Sequence, residues 1–404
     1  MQRSYKYRLY PNKEQEHKLF QTLGSCRFTY NKLLETLNNA RENDDKLSQT
    51  DTQAMLVDMK DKYPFLKEVN AKALQMVNYT LWSNIKALGR LKKNGKKVGK
   101  LRYKGRGFYK TINYNQSGFK FLDGKLRLSK IGDIRIKMHR PIDGKAKGVF
   151  IKNQCGKWYA IAQVDIDKKP MDPTGREVGI DLGIDSFAVD TNENSFEHLT
   201  NIEHTIDAIK RVQKDLSRKK KGSDNRNKVR KRLERMHEKL CNQRNDYLHK
   251  LSRYYIDNYD RIVVEDLDIK GMLEEKDKYK ATLHRHIQES SWGRFVQMLE
   301  YKAESAGRTV IRIDPKGTTQ KCSKCKCDAI VEKKLWHRTH KCPYCGFVAD
   351  RDYNASVNIL NSGSGRPVGP VENVSLSRIG ANAVITGQIY SMKQEAPSSA
   401  LGDT

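Results

Sequence analysis

Two short cysteine motifs in the last quarter of the chain constrain its fold more than any other feature. Cys322 and Cys325 form the first CxxC motif, and after sixteen intervening residues Cys342 and Cys345 form the second. Two such motifs at this separation can place four thiolates around one Zn²⁺ ion in a tetrahedral site. Gly346, directly after the second motif, suits a tight turn there. The spacing predicts a structural zinc ribbon, stabilised by the ion because so short a segment lacks a sufficient core.

Three acidic residues lie where a charge is unusual. Asp181 lies within the apolar stretch VGIDLGI, and Glu265 follows the apolar run 262–264. A carboxylate in a buried strand is costly unless it is paired or binds a metal. Asp352 lies at the predicted beginning of a helix, where an N-cap is the structural alternative. Each acid alone could be structural. Together, two strand acids and a helix acid fit a phosphodiester-hydrolysing site for two Mg²⁺ or Mn²⁺ ions roughly 3.5–4 Å apart.

Neighbouring acids have to be separated from this trio. Asp266 should point to the opposite face of its strand from Glu265, because successive side chains alternate. Asp185 lies beyond the turn that follows the first acidic strand, and Asp350 precedes the predicted helix. We expect these three acids to lie outside the metal site, with Asp350 the residue most easily confused with Asp352.

The balance of charge indicates a polyanionic partner. The chain has 77 Lys and Arg against 48 Asp and Glu, a net charge of +29. Such an excess attracts a phosphate backbone, largely through counterion release that depends on salt. Residues 205–250 hold sixteen basic and six acidic residues, which favours phosphate contact over an ordinary solvated helix face. The segment 92–110, rich in Gly and Lys with interleaved aromatics, is either a second contact or a solvated linker.

Nothing in the sequence indicates export or membrane insertion. The stretch MQRSYKYRLYPNKEQ lacks the apolar core of a signal peptide, and no apolar run approaches the ~18 residues of a membrane span. We expect a soluble cytoplasmic protein. Cysteines are reduced in that compartment, so the paired CxxC motifs indicate metal rather than disulfides.

Apolar periodicity divides the chain into helical and extended parts. A strand over 3–10 precedes the helical residues 11–92. Alternating strands over 111–166, separated by Gly turns, predict an antiparallel sheet or small barrel that the strand 3–10 could join. The remaining pattern predicts two strands in 176–190, helices in 205–258, a strand over 261–267, a helix through 292–299, a strand over 309–314 and a helix over 352–360.

The order of these motifs resembles the TnpB family of transposon-encoded RNA-guided nucleases, which is related to compact type V CRISPR effectors. The resemblance rests on stretches such as YKYRLYPNKEQ, VGIDLGIDSFAV, VVEDLDIKGM, TTQKCSKC and CPYCGFVADRDYNASVNIL, and it extends from residue 4 to residue 360. By motif position, the family's catalytic acids fall on Asp181, Glu265 and Asp352, and its zinc cysteines on Cys322, Cys325, Cys342 and Cys345.

The resemblance implies an α/β architecture, of α+β multidomain type, with three parts and a tail. The tail is rich in Gly, Ser and Pro and is expected to be disordered. The implied parts are a wedge-like β-barrel (1–10 and 108–170), a helical recognition domain (11–107), a RuvC-like nuclease domain of RNase H type (171–361) with a zinc ribbon at about 316–350, and the tail (362–404).

The resemblance also implies an activity and partners. We expect an RNA-guided DNA endonuclease, monomeric with its guide RNA from the transposon end, that cuts double-stranded DNA beside a short adjacent motif. The expected cofactors are Mg²⁺ or Mn²⁺ at the nuclease site and Zn²⁺ in the ribbon. The alternatives are a non-catalytic zinc-ribbon regulator that binds nucleic acid and a transposition accessory protein. The intact acid trio weighs against the regulator.

Overall fold

A computed structural model describes residues 1–115, 117–199, 202–274, 284, 286–287, 290–325 and 337–364. The chain divides into two compact units, Met1–Ile166 and Asp167–Thr404. Each unit has hydrophobic clusters of its own.

The first unit contains a seven-stranded antiparallel sheet. Its spatial order is β2-β6-β7-β1-β5-β4-β3, so the first strand of the chain lies at the centre. The prediction that residues 3–10 join this sheet is confirmed by their pairing with β7 and β5. The sheet is a half-barrel with β2 and β3 at its edges. The strands are β1 (Gln2–Tyr10), β2 (Thr111–Asn115), β3 (Phe119–Leu122), β4 (Lys125–Leu128), β5 (Gly132–Lys137), β6 (Ala146–Gln154) and β7 (Lys157–Asp165).

Helices fill the interval between β1 and β2. Asn12 begins the first helix with a capping box, in which its side chain accepts a hydrogen bond from the Gln15 amide and the Gln15 side chain accepts one from the Asn12 amide. The last of these helices buries an apolar face that includes Leu74, Val77 and Leu81. These helices share one core with the sheet. They are α1 (Lys13–Glu42), α2 (Gln49–Lys62), a 3-10 turn (Pro64–Glu68) and α3 (Ala71–Lys93).

The second unit contains a five-stranded sheet with both parallel and antiparallel strands. Its spatial order is β10-β9-β8-β11-β12. The first three strands are antiparallel neighbours, whereas β11 runs parallel to both β8 and β12. The pattern analysis missed β10, which is only three residues long. The strands are β8 (Glu177–Asp181), β9 (Ser186–Asp190), β10 (Ser195–Glu197), β11 (Arg261–Glu265) and β12 (Thr309–Ile313).

The helices predicted within 205–258, through 292–299 and over 352–360 are confirmed, whereas the short helix Ile269–Glu274 and the two strands of the ribbon were not predicted. The helix predicted over 352–360 extends to Ser364, and the rest of the predicted tail, 365–404, lies outside the described residues. The elements are α4 (Glu203–Arg218), α5 (Asp224–Asn258), α6 (Ile269–Glu274), α7 (Trp292–Ala306), β13 (Thr339–Lys341), β14 (Val348–Asp350) and α8 (Arg351–Ser364).

The two faces of this sheet carry different helices. Ile180 and Val264 belong to the cluster that packs with residues of α5 and α7. The alternate residue Val263 packs instead with Ile359 and Leu360 of α8. Side chains alternate along a strand, so odd-numbered positions of β8 and β11 face α8.

Candidate active site and metal centre

Asp181 and Glu265 end neighbouring parallel strands on the same face of the sheet. The register pairs Val264 with Ile180, so Glu265 and Asp181 occupy the next position along. Both acids are at odd-numbered positions, as Val263 is, so their side chains lie on the face of the sheet that packs against α8. Strand order and register thus bring together two carboxylates that are 84 residues apart in the sequence.

Asp352 approaches these two acids from the first turn of α8. The N-cap role belongs to Asp350, whose side chain accepts hydrogen bonds from the amides of Asp352 (2.9 Å) and Tyr353 (3.1 Å). The carboxylate of Asp352 is therefore not used for capping. Gly179 allows α8 to lie close to β8, because a Cβ atom at this position would lie 2.2 Å from the Ser356 carbonyl oxygen.

Electrostatic repulsion marks the meeting of the three acids. Asp181 is 7% exposed. Burial raises its pKa well above the ordinary range, and repulsion from Glu265 and Asp352 raises it further, while Arg351 lowers it. Burial also raises the pKa of Glu265. Such a cluster of acids, two of them buried, is favourable only with a proton or a cation among them.

Two arginines balance the charge of Asp352. Nε and Nη2 of Arg351 both lie 2.8 Å from its Oδ1 atom. Nη1 of Arg338 lies 3.8 Å from its Oδ2 atom, and the same guanidinium contacts Asp185. Among the described residues, the donor atoms of the three catalytic candidates do not all lie within 4.8 Å of one another, unlike those of the cysteine cluster. The acids are thus neighbours at one end of the sheet rather than a closed ligand set.

The acids predicted to be bystanders have other partners. Asp266 is 62% exposed in its side chain and pairs with Arg312 at 3.0 Å. Asp185 is 55% exposed and pairs with Arg338. Asp350 caps α8.

Three polar residues that the sequence analysis missed organise this site. The Thr318 hydroxyl donates a 2.6 Å hydrogen bond to Oε1 of Glu265. Asn354 of α8 accepts from the Ser323 amide at 3.0 Å and donates to the Lys321 carbonyl at 2.8 Å. Asn358, one turn further along, donates to the carbonyls of Thr318 and Lys321 at 2.8 Å. These bonds tie the helix of Asp352 to the first cysteine motif. The sequence signal was the pair of Asn residues at i and i+4.

The four cysteine sulfurs form a compact cluster. All four Sγ atoms lie within 4.8 Å of one another. Cys322 and Cys345 are 3.8 Å apart, and Cys325 and Cys342 are 3.7 Å apart. A tetrahedral ion with Zn–S bonds of about 2.3 Å requires sulfur separations of about 3.8 Å. Disulfides are excluded, because their S–S distance is about 2.05 Å.

Two thiols of the cysteine cluster have opposite pKa shifts. Burial raises the pKa of the Cys322 thiol to about 12. The backbone amides of Cys345 and Tyr344 lower the pKa of Cys342 to about 6, because amide hydrogen bonds stabilise its thiolate. The four clustered sulfur donors fit a thiophilic cation such as Zn²⁺.

Fold and site together define the class of this protein: a mixed α/β domain with clustered acids, joined to a four-cysteine ribbon. Three protein-family models match the sequence. They are described as "Helix-turn-helix domain" over residues 1–46, "Probable transposase" over 161–276 and "Cas12f1-like, TNB domain" over 292–359. The structure has a strand and one long helix in the first of these ranges.

Two curated relatives extend over nearly the whole chain. InsQ of Escherichia coli (strain K12), named as a candidate RNA-guided DNA endonuclease, is 30% identical over 89% of this chain and 92% of its own length. A Streptomyces pristinaespiralis protein, named in the same way, is 32% identical over 90% of each chain. The protein belongs to the TnpB family, as its motifs predicted.

The fold has a counterpart among solved structures. A chain in a cryo-EM structure of a Cas12f1–sgRNA–target DNA complex superposes with a TM-score of 0.55 at 15% identity, covering 89% of this chain and 99% of that chain. The similarity supports the predicted fold class. Within the described residues, no helix is both long and apolar enough to cross a membrane.

Proposed function

We propose that this protein is an RNA-guided DNA endonuclease that hydrolyses phosphodiester bonds. Its active site would be formed by Asp181, Glu265 and Asp352. The observation that carries the proposal is the arrangement of Asp181 and Glu265 at the ends of paired parallel strands, with Asp352 on the helix that covers them. Relatives of nearly full length are named for this activity.

The acid trio has the chemistry of a divalent-cation site. Carboxylate oxygens are the ligands that Mg²⁺ and Mn²⁺ prefer. Burial raises the pKa values of both Asp181 and Glu265, so a bound cation would compensate the cost of keeping the two carboxylates ionised. Asp181, Glu265 and Asp352 would hold the ions, which when bound supply an activated water and stabilise the leaving oxygen.

The protein's own residues prepare this site in three ways. Thr318 fixes one oxygen of Glu265, leaving the other free to act as a ligand. Arg351 and Arg338 neutralise Asp352, and both guanidinium groups carry donors that suit a phosphate. Gly179 allows α8 to approach β8 closely enough for Asp352 to join the strand acids.

The ribbon has a structural task in this proposal. Cys322, Cys325, Cys342 and Cys345 would hold Zn²⁺. The bonds from Asn354 and Asn358 connect the first motif to α8. A folded ribbon would therefore keep the helix of Asp352 in place.

The partners are a guide RNA and a target DNA duplex with an adjacent short motif. The helices α4 and α5 present exposed cations, among them Lys228, Arg232 and Arg235, for contact with phosphate backbones.

In the domain division we propose, residues 1–10 and 108–170 form a wedge domain, 11–107 a recognition domain and 171–361 the nuclease domain. The protein would act as a monomer with its RNA, at the nucleoid.

The test is a reconstitution. RNA that copurifies with the protein is sequenced, its guide segment is replaced, and cleavage of a matching plasmid is followed in Mg²⁺. One enriched, structured RNA and guide-dependent cutting are expected. Random RNA fragments without guide-dependent cutting would refute the proposal.

A further inference from the structure

A cavity of about 270 Å³ lies in the second unit. Its walls come from the turn after β8, from β9, from α4 and α5, and from His286 and Ser290. Pockets for drug-sized ligands have volumes of roughly 300–1,000 Å³, so this cavity suits a single small ring system.

One wall of the cavity is aromatic. Phe187 meets Tyr247 edge to face, with ring centroids 5.5 Å apart, and meets His198 in the same way at 5.7 Å. Ile206 and Leu248 add aliphatic surface. Rings and aliphatic groups favour a flat, uncharged ligand through stacking and burial of apolar area.

The polar groups of the cavity have mixed charge. Arg244 lines it together with the carboxylates of Asp185 and Glu203. The Nε atom of Arg244 is buried and, within the described part of the chain, has no hydrogen-bond partner. An unsatisfied buried donor is costly, which indicates an acceptor that arrives with a ligand.

The ring of His198 is held in a neutral, fixed orientation. Its Nε2 atom lies 3.1 Å from the Gly183 carbonyl oxygen, which can only accept, so Nε2 carries the hydrogen. Burial lowers the pKa of this imidazole. A neutral ring adds no attraction for an anion.

The position of the cavity relates it to the site of cleavage. Gly183, which fixes His198, is two residues beyond Asp181. Asp185, in the cavity wall, contacts the same Arg338 guanidinium that lies 3.8 Å from Asp352. One arginine side chain thus spans the distance between the cavity and the acid trio.

We propose that this cavity takes one nucleobase of the DNA strand that is being cut, adjacent to the scissile phosphodiester. This inference rests on the proposed function. A phosphate would meet two carboxylates against one arginine, whereas every base offers a π face for the aromatic wall and acceptors for Arg244. Bases are bound in comparable pockets by aromatic stacking with hydrogen bonds to their edges.

The experiment scans the target with single abasic sites. Guide-loaded protein at saturating concentration cuts a set of duplexes, each lacking one base near the mapped cut positions, and single-turnover rates are measured. Stacking of a base on aromatic groups contributes about 1–3 kcal/mol, so loss of the bound base should slow cutting at least about fivefold at one position. The other positions should show smaller penalties.

Variants assign the penalty to the cavity. Ile206→Trp fills the cavity, and Arg244→Met removes its unpaired donor while keeping the aliphatic stem. In both variants we expect the abasic penalty at that position to fall below about twofold, because the base is no longer bound there. Arg294→Met removes the same charge from an exposed position on α7 and should keep the wild-type penalty.

The outcomes separate the two proposals. If Ile206→Trp fails to fold, Arg244→Met decides. A cleaving protein with no position-dependent penalty, or with a penalty that both folded variants retain, would overturn the base pocket and leave the nuclease proposal intact. Failure of the wild type to cut any intact guide-matched DNA would overturn both.

Discussion

Gly179→Ala tests whether the close approach of α8 positions Asp352. The new Cβ would lie 2.2 Å from the Ser356 carbonyl oxygen and 2.7 Å from the Leu360 amide nitrogen, where ordinary contacts begin at 3.4 Å. Both contacts are with helix backbone, which cannot rotate away. The helix must therefore retreat from β8 by about 1 Å.

The expected cost of this change is large for one methyl group. Overpacking of a tight interior costs about 1–3 kcal/mol of unfolding free energy. A displacement of ~1 Å at catalytic groups can reduce the rate about 100-fold. We expect weaker hydrogen-exchange protection of β8 and β11 and unchanged guide binding. Single-turnover cleavage should be about 10- to 100-fold slower because the catalytic groups are displaced.

The matched control lies in the same unit. Alanine at Gly293 would meet only the terminal Cδ1 atom of Ile269, at 3.2 Å, and this flexible atom can move aside. Gly293→Ala should therefore change stability by no more than about 1 kcal/mol. If Gly179→Ala matches this control in both protection and cleavage rate, the close approach does not position Asp352.

Three further predictions concern the same unit. Thr318→Val removes the hydrogen bond to Glu265 and should slow cleavage about tenfold or more while guide binding persists; a wild-type rate would show that Glu265 needs no fixing. Cys322→Ser should lower zinc content, measured by elemental analysis, and reduce protection of α8; full occupancy would exclude the assigned ligand set. Asp181→Asn should raise the metal-free melting temperature at neutral pH. The folded pKa of Asp181 exceeds its unfolded value, so this acid destabilises the fold increasingly as pH rises through that interval. The higher melting temperature of the variant should disappear below the pKa that Asp181 has in the unfolded chain. Melting temperatures of both proteins, measured with a chelator over a range of pH, check this.

The elements that carry the site were predictable from the sequence because their patterns are local. An apolar strand that ends in an acid is visible in the stretches around Asp181 and Glu265, and alternation correctly assigned Asp266 to a different environment. The cysteine spacing likewise predicted a cluster whose sulfur separations fit a tetrahedral ion.

What the sequence could not provide depends on contacts between distant residues. Capping by Asp350 rather than Asp352 follows from the side-chain direction at a helix end, where spacing alone allows both. Thr318 is 53 residues from Glu265 in the sequence, and no local pattern predicts that its loop packs against this acid. In the sequence, Gly179 is one glycine in an apolar stretch. Its role depends on the helix backbone of α8, which packs against it in the structure.

The most direct test of the account is guided, Mg²⁺-dependent cleavage by single alanine variants of the acid trio. Asp181→Ala, Glu265→Ala and Asp352→Ala should each lose cleavage while keeping RNA and target binding, because affinity comes from basic residues and base pairing. Asp266→Ala, which removes an exposed acid next to the trio, should cut at nearly the wild-type rate. Normal cleavage by all three trio variants would contradict the proposed chemistry, and normal cleavage by Asp352→Ala with loss in Asp350→Ala would move the third ligand to the cap residue.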